Sequence, residues 1–237
     1  MTITLAETNF QALQSEWGEL LTRAYSNNIF LTFTWQNLWW KQFDNNGKLH
    51  MLAFRDRQKL VGIAPLVEKG SSIYLLGDTD LFDYHDFIVD SKYLNDFYDE
   101  LSSYLTTGPW SSIKLHSLHN GSPTLKHLPE KICSMGWSSK ITLEDSVPGM
   151  HLPQSWDEHL ATLGKKHRHE LKRKIRRLED NGPYNVLTAD GASGTDVSIE
   201  EFLGLMKASK EEKSRFMTTD RESFFREMVD ILSSEKT

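Results

Sequence analysis

The sequence has a single cysteine, Cys133, among 237 residues. An internal disulfide is therefore excluded, which fits a reducing compartment. Cys133 stands before Met135-Gly136-Trp137 in a segment that reads as helical, and is expected to be a small buried hydrophobe rather than a nucleophile. No apolar run approaches the ~20 residues that a membrane-spanning helix needs. The opening, MTITLAETNF, has neither the basic stretch nor the apolar stretch of a secretory signal, so the chain reads as cytoplasmic. No P-loop, G-x-S-x-G or H-E-x-x-H pattern occurs. His116, His119 and His127 find no further ligand at a recognisable metal-binding spacing, so no metal is expected.

What is present suffices for a packed core: 38% hydrophobic and 11% aromatic residues, including seven Trp and twelve Phe. Hydrophobic periodicity gives a short strand at 2–5 and a helix over 8–25 that aligns Phe10, Leu13, Trp17, Leu20, Leu21 and Ala24. A helix capped by Thr34 follows, with Trp35, Leu38, Trp39 and Phe43 on one side. Residues 49–67 read as a hairpin turning at 55–59, in which Pro65 argues for an edge or bulged position. Further strands are expected at 72–76 and 86–89, then a helix at 91–106, a strand at 112–118, a helix at 123–135 and a strand at 137–143.

This order predicts an α+β fold, a three-layer α/β/α arrangement around one mixed sheet. Residues 144–149 read as a joint, giving a first domain over 1–145 and a second over 146–237. In the second, short strands are expected at 149–152 and 184–189, helices at 155–163, 199–213 and 220–234, and a Gly/Ser/Asp loop at 190–197. Four helices with one or two short strands cannot cover their own apolar faces. Residues 146–237 are therefore expected to be the helical start of an incomplete domain.

The densest charge lies in Lys165–Glu179, KKHRHELKRKIRRLE. Its first thirteen residues hold eight Lys or Arg and one Glu, +7, while the rest of the chain, with 19 basic and 32 acidic residues, carries −13. Leu163, His167, Leu171, Ile175 and Leu178 fall on one helical face, and Asn181-Gly182-Pro183 is a stop signal. A solvated charged face on a core-packed helix accounts for this pattern. So does an anion site, in which Lys165, Lys166, Arg168, Arg173 and Arg177 clamp phosphates; the near-exclusion of acids favours that second reading. The acidic remainder speaks against a general nucleic-acid binder.

Two smaller groups are candidates for a cleft. Tyr84, His85 and Asp86 form a polar loop entering a strand, and Trp40 and Lys41 are the members of their aromatic helix expected to be exposed. His85 and Asp90 make an H-x-x-x-x-D pattern, but positions five apart on a strand face opposite ways, so no contact between them is expected.

Taken together, FTFTWQNLWWKQF, AFRDRQKLVGIAPLV, FDYHDFIVD and LGKKHRHELKRKIRRLEDNG resemble the BioF2-like or CelD-like acyltransferases of the GNAT superfamily, relatives of the FemAB peptidyl transferases. The resemblance implies two tandem GNAT-like domains, the first complete here. It implies N-acyl transfer from an acyl-CoA such as acetyl-CoA, or from an aminoacyl-tRNA-like donor, to an amine on a small-molecule acceptor. It also implies a donor site in the second domain, on elements beyond Thr237. The [QR]-x-x-G-x-[GA] loop by which such enzymes hold a pyrophosphate has no match, and Asp190-Gly191-Ala192-Ser193-Gly194-Thr195 reads as a plain loop. The catalytic base is not identified. The competing reading is a non-catalytic module that docks the 165–177 helix on nucleic acid or an anionic surface.

Overall fold

The computed structural model of the chain describes residues 3–43, 46–185 and 195–234. The chain divides into two compact units: Met1–Ile141 together with Gly194–Thr237, and Thr142–Ser193. The helices expected at the end of a second domain therefore pack with the first unit.

In the larger unit, strand β1 (Thr4–Thr8) leads into helix α1 (Phe10–Arg23), whose first turn is capped by the Asn9 side chain accepting from Ala12 N. A 3₁₀ turn at Ile29–Leu31 runs into α2 (Phe33–Phe43). The cap of α2 is Thr32 and not Thr34: the 3₁₀ turn leaves Thr32 extended, and its hydroxyl accepts from Trp35 N at 3.3 Å. Strands β2 (Lys48–Asp56), β3 (Lys59–Lys69), β4 (Ser72–Leu75) and β5 (Ile88–Val89) follow, then α3 (Leu94–Thr107), β6 (Ser112–Lys114) and α4 (Pro123–Ser134).

The sheet runs β1-β2-β3-β4-β6, with β5 pairing β3 beside β4. β4 and β6 are parallel and the other pairs antiparallel, which is the mixed sheet expected. Helices cover both faces. Met51, Ala53, Ile63 and Val67 point to the α1–α2 side, whereas Leu52, Phe54, Ala64 and Leu66 point to α3 and α4. The alternation slips at a bulge opposite Phe54/Arg55, where Val61 is the extra residue and Leu60 returns to the α1 side.

Pro65 sits inside β3, the most extensively paired strand, rather than at an edge. Its carbonyl accepts from Leu76 N at 3.0 Å, so its nitrogen points to the same flank. There the neighbour of β3 changes from β5, opposite residues 62–63, to β4, opposite residues 66–69. The missing N–H falls at that changeover, where it costs no ladder bond.

Three C-terminal helices complete this unit: α7 (Thr195–Ser209), α8 (Glu211–Phe216) and α9 (Thr219–Ser234). The single helix expected at 199–213 is broken at Lys210, which is extended (φ −157°). From α9, Phe224 and Met228 join the core on the α1–α2 side, with the Phe224 ring 5.3 Å from Trp35 and 5.4 Å from Phe43. Complete burial of an aromatic ring of this size contributes about 2–3 kcal/mol, so α9 is an integral part of the layer.

Several expectations are corrected. Cys133 is exposed: α4 buries Pro123, Thr124, Leu128 and Ile132, and the next residue along a helix is turned about 100° off that face. The strand expected at 112–118 is ordered as such only at Ser112–Lys114. Residues 137–143 and 149–152 form no strands: Trp137 packs against the core on the α3–α4 side, and the segments find no strand to pair with among the described residues. Ile141, Leu143, Val147, Met150 and Leu152 are exposed. The strand expected at 184–189 falls mostly, and the loop at 190–197 largely, outside the described residues.

The smaller unit contains α5 (Trp156–Thr162), capped by Ser155, and α6 (Lys165–Glu179), whose bounds are those read from the charge pattern. Gly182, at φ +116°, supports the stop after α6.

Candidate functional site

Three of the sequence candidates, Tyr84, His85 and Asp86, come together in a cleft of about 280 Å³ in the larger unit. The other walls are Tyr25, Ser26 and Asn28, which follow α1, and His119, Gly121 and Ser122, which lead into α4. Trp40 and Lys41 do not line it. Trp40 is half-buried against the α1–α2 core and Lys41 is exposed on α2, so the aromatic stripe of α2 serves packing.

Two backbone features shape the cleft. Tyr84 (φ 52°) and Ser117 (φ 57°) adopt the left-handed conformation, which costs a non-glycine residue free energy that the surrounding structure must offset. His85 N donates to Ser117 O at 2.9 Å, holding the two segments side by side. Asn28 Nδ2 donates to Tyr84 O at 3.1 Å from the opposite wall.

Asp86 is 2% exposed. Burial pushes its carboxyl above the ordinary range, opposed by donors from Thr124, Ser122, Phe87 N and Ser26. Thr124 Oγ1 lies 2.5 Å and Phe87 N 2.9 Å from Oδ1, and Ser26 Oγ lies 3.3 Å from Oδ2. Tyr98 OH, 2.8 Å from Thr124 Oγ1, extends the chain of hydroxyls into the core, and burial raises its phenol above the ordinary range. A buried carboxylate fed by this many donors is a positioned group.

His85 is also buried. Burial lowers its pKa to about 4, with a bond to the Leu76 backbone opposing and His116 adding to the shift. Nε2 has no hydrogen-bond partner, so the Leu76 bond belongs to Nδ1–H, and Nε2 of the neutral ring carries a lone pair. Gly77 (φ +134°) is required beneath it, since a Cβ there would lie 2.8 Å from Phe82 and 2.9 Å from His85 Cε1. His119, which sequence reading considered only as a metal ligand, stands at the mouth with its ring 5.8 Å from that of Tyr84. Its Nδ1 accepts from Gly121 N at 3.1 Å, which places the ring proton on Nε2. His85 makes no pair with Asp90: the Asp90 carboxylate takes Arg23 at 3.2 Å and Lys59 at 3.1 Å. No cluster of three metal-ligating residues exists among the described residues.

The five basic candidates lie on α6, in the smaller unit, and α6 buries no residue fully. They divide by what holds them. Arg168 donates through Nη2 to Leu163 O at 2.9 Å and Ala161 O at 3.4 Å, tying down the end of α5. Arg173 forms a two-pronged pair with Glu170, at 2.6 and 2.9 Å. Lys165, Lys166 and Arg177 are exposed. The first turn of α6 has no acidic residue and no side-chain cap, and Gly164 precedes it. The two lysines therefore face the positive end of the helix dipole, an arrangement that an anion relieves.

Residues 165–236 match the family model described as "Acetyltransferase (GNAT) domain", and this match begins at the first residue of α6. Over this segment the chain is similar to the GNAT acetyltransferases. Among solved structures, FemX aligns with 98% of this chain at 16% identity and a TM-score of 0.53, a likeness of fold. The chain covers 55% of FemX and so spans about half its length. A possible acetyltransferase from Clostridium difficile 630 aligns over 64% of this chain and 100% of that one, at 11% identity and a TM-score of 0.36, too low to carry an argument. No curated protein matches. The GNAT resemblance read from the sequence is thus matched over residues 165–236, and the mixed-sheet fold stands.

Proposed function

We propose that the chain serves GNAT-type N-acyl transfer, from acyl-CoA to the amine of a small-molecule acceptor. The observation that carries this reading is the GNAT match over residues 165–236, which includes the basic helix. In such a reaction the amine nitrogen attacks the thioester carbonyl, the C–S bond breaks, CoA leaves as the thiolate, and a base takes the proton from nitrogen. Lys165 and Lys166 at the start of α6, and Arg177 towards its end, hold donor phosphates. Arg168 and Arg173 support them, since their guanidinium groups are already bonded to carbonyls of α5 and to Glu170.

The test is an acylation assay with the protein, following release of CoA thiol from acetyl-CoA in the presence of a panel of primary amines. Amine-dependent thiol release supports the proposal, and no release above the rate without enzyme sinks it. A second reading is favoured by α6 burying no residue: a module that binds a polyanion without chemistry. Binding to RNA or to anionic vesicles that falls by orders of magnitude between low and moderate salt, without thiol release, is its signature.

A further inference from the structure

We propose that the Tyr84–Asp86 cleft binds a small molecule that donates hydrogen bonds and carries no negative charge, an amine or a polyol, and that it turns anions away. The proposal names a ligand class for a cleft of the larger unit and goes beyond acyl transfer.

The argument starts from the formal charges of the lining residues. None of them is Lys or Arg, and Asp86 is the acidic one. Beneath the cleft lie two acceptors: the Asp86 carboxylate and the Nε2 lone pair of His85, which finds no partner. A buried carboxylate and an oriented lone pair, with no cation lining the space, make its floor electronegative. The potential inside a concave, partly desolvated space is stronger than it would be on an open surface. An anionic ligand would be repelled, whereas N–H and O–H donors are attracted.

The mouth supplies the complementary surface. Tyr25 and Tyr84 are 57% and 40% exposed, large aromatic faces that suit both the C–H face of a polyol and a cationic head. Hydroxyls of Ser26 and the two tyrosines, and the Nε2–H of His119, provide further polar contacts. At about 280 Å³ the space is at the small end for ligand pockets, so the ligand is a small molecule or a single group at the end of a larger one. Left-handed Tyr84 and Ser117 are the kind of strained backbone that a binding site retains and a plain surface loop does not need.

The experiment is a titration of the chain, labelled at histidine and tyrosine, with ethanolamine, glycerol, acetate and inorganic phosphate, following the ring resonances of His85, His119 and Tyr84 by NMR. Saturable shifts with ethanolamine alone identify an amine site; with glycerol alone or with both, a site for neutral donors. Either result supports the proposal. Shifts with acetate or phosphate as large as those with the donors overturn it, and so does the absence of any saturable shift. Asp86→Asn is expected to weaken ethanolamine binding about tenfold, because it removes the negative charge beneath the cleft. Because Asp86 is buried, Tyr25→Ala provides a second variant at an exposed position, with an expected loss of about threefold. Titrating CoA into the same protein keeps the proposals apart: donor-ligand binding without CoA binding leaves the cleft standing and removes acyl transfer.

Discussion

The imidazole of His85 lies against the ring of Phe82, 4.6 Å between centroids, with Nδ1 bonded to the Leu76 backbone and only 3% of the residue exposed. This makes His85 a buried base that must stay neutral. Its pKa falls from 6.5 to about 4 on folding, so the folded state binds this proton less tightly than the unfolded chain. The corresponding stability is fully present above pH 6.5 and is lost as pH falls towards 4. The shift is worth about 3 kcal/mol. Urea denaturation at a series of pH values is expected to show this loss, and His85→Phe to flatten it. An equally steep acid profile in the variant would contradict the assignment.

Gly62 stands under the Phe97 ring on the α3 side of the sheet. A Cβ there would lie 2.5 Å from Phe97 Cδ2 and 3.3 Å from Phe54 Cβ. Gly62→Ala is expected to destabilise the larger unit by about 1–3 kcal/mol through overpacking. A second change, Phe97→Leu, should return part of that loss, as thermal unfolding would show.

Phe224 carries α9 onto Trp35 and Phe43. Phe224→Ala is expected to cost about 3–5 kcal/mol, and to expose the Trp35 environment to fluorescence quenchers. Unchanged stability would mean that α9 is not part of this core.

Much of this was legible in the sequence. The α1 stripe of Phe10, Leu13, Trp17, Leu20 and Leu21 is buried as its spacing requires, and α6 runs from Lys165 to Glu179 as its charge pattern marks it. Such features are local, set by periodicity and by stop signals. What escaped depends on distant partners. Pro65 is central because β4 and β5 share one flank of β3, and residues 137–143 alternate like a strand but find no strand to pair with among the described residues. Tyr84, His85 and Asp86 were recognisable as a polar strand entry, yet their cleft partners Tyr25, Ser26 and His119 come from segments far along the chain. Among the basic residues, composition suggested one clamp. The structure separates Arg168, which closes α5, and Arg173, paired with Glu170, from the exposed Lys165, Lys166 and Arg177.

That division gives a further expectation. Arg168→Ala should lower the stability of the smaller unit by about 1–2 kcal/mol, by releasing the Leu163 and Ala161 carbonyls. Lys165→Ala with Lys166→Ala should leave stability within about 0.5 kcal/mol or raise it slightly, because both lysines oppose the α6 dipole. Denaturation of the three proteins side by side distinguishes the two kinds of basic residue.

The most direct measurement of the central claim is a calorimetric titration of CoA into the protein and into its Lys165→Ala/Lys166→Ala variant. Acyl transfer with phosphates held at the start of α6 predicts saturable binding, weakened about tenfold in the variant. Absence of CoA binding, or equal affinity in both proteins, would contradict it.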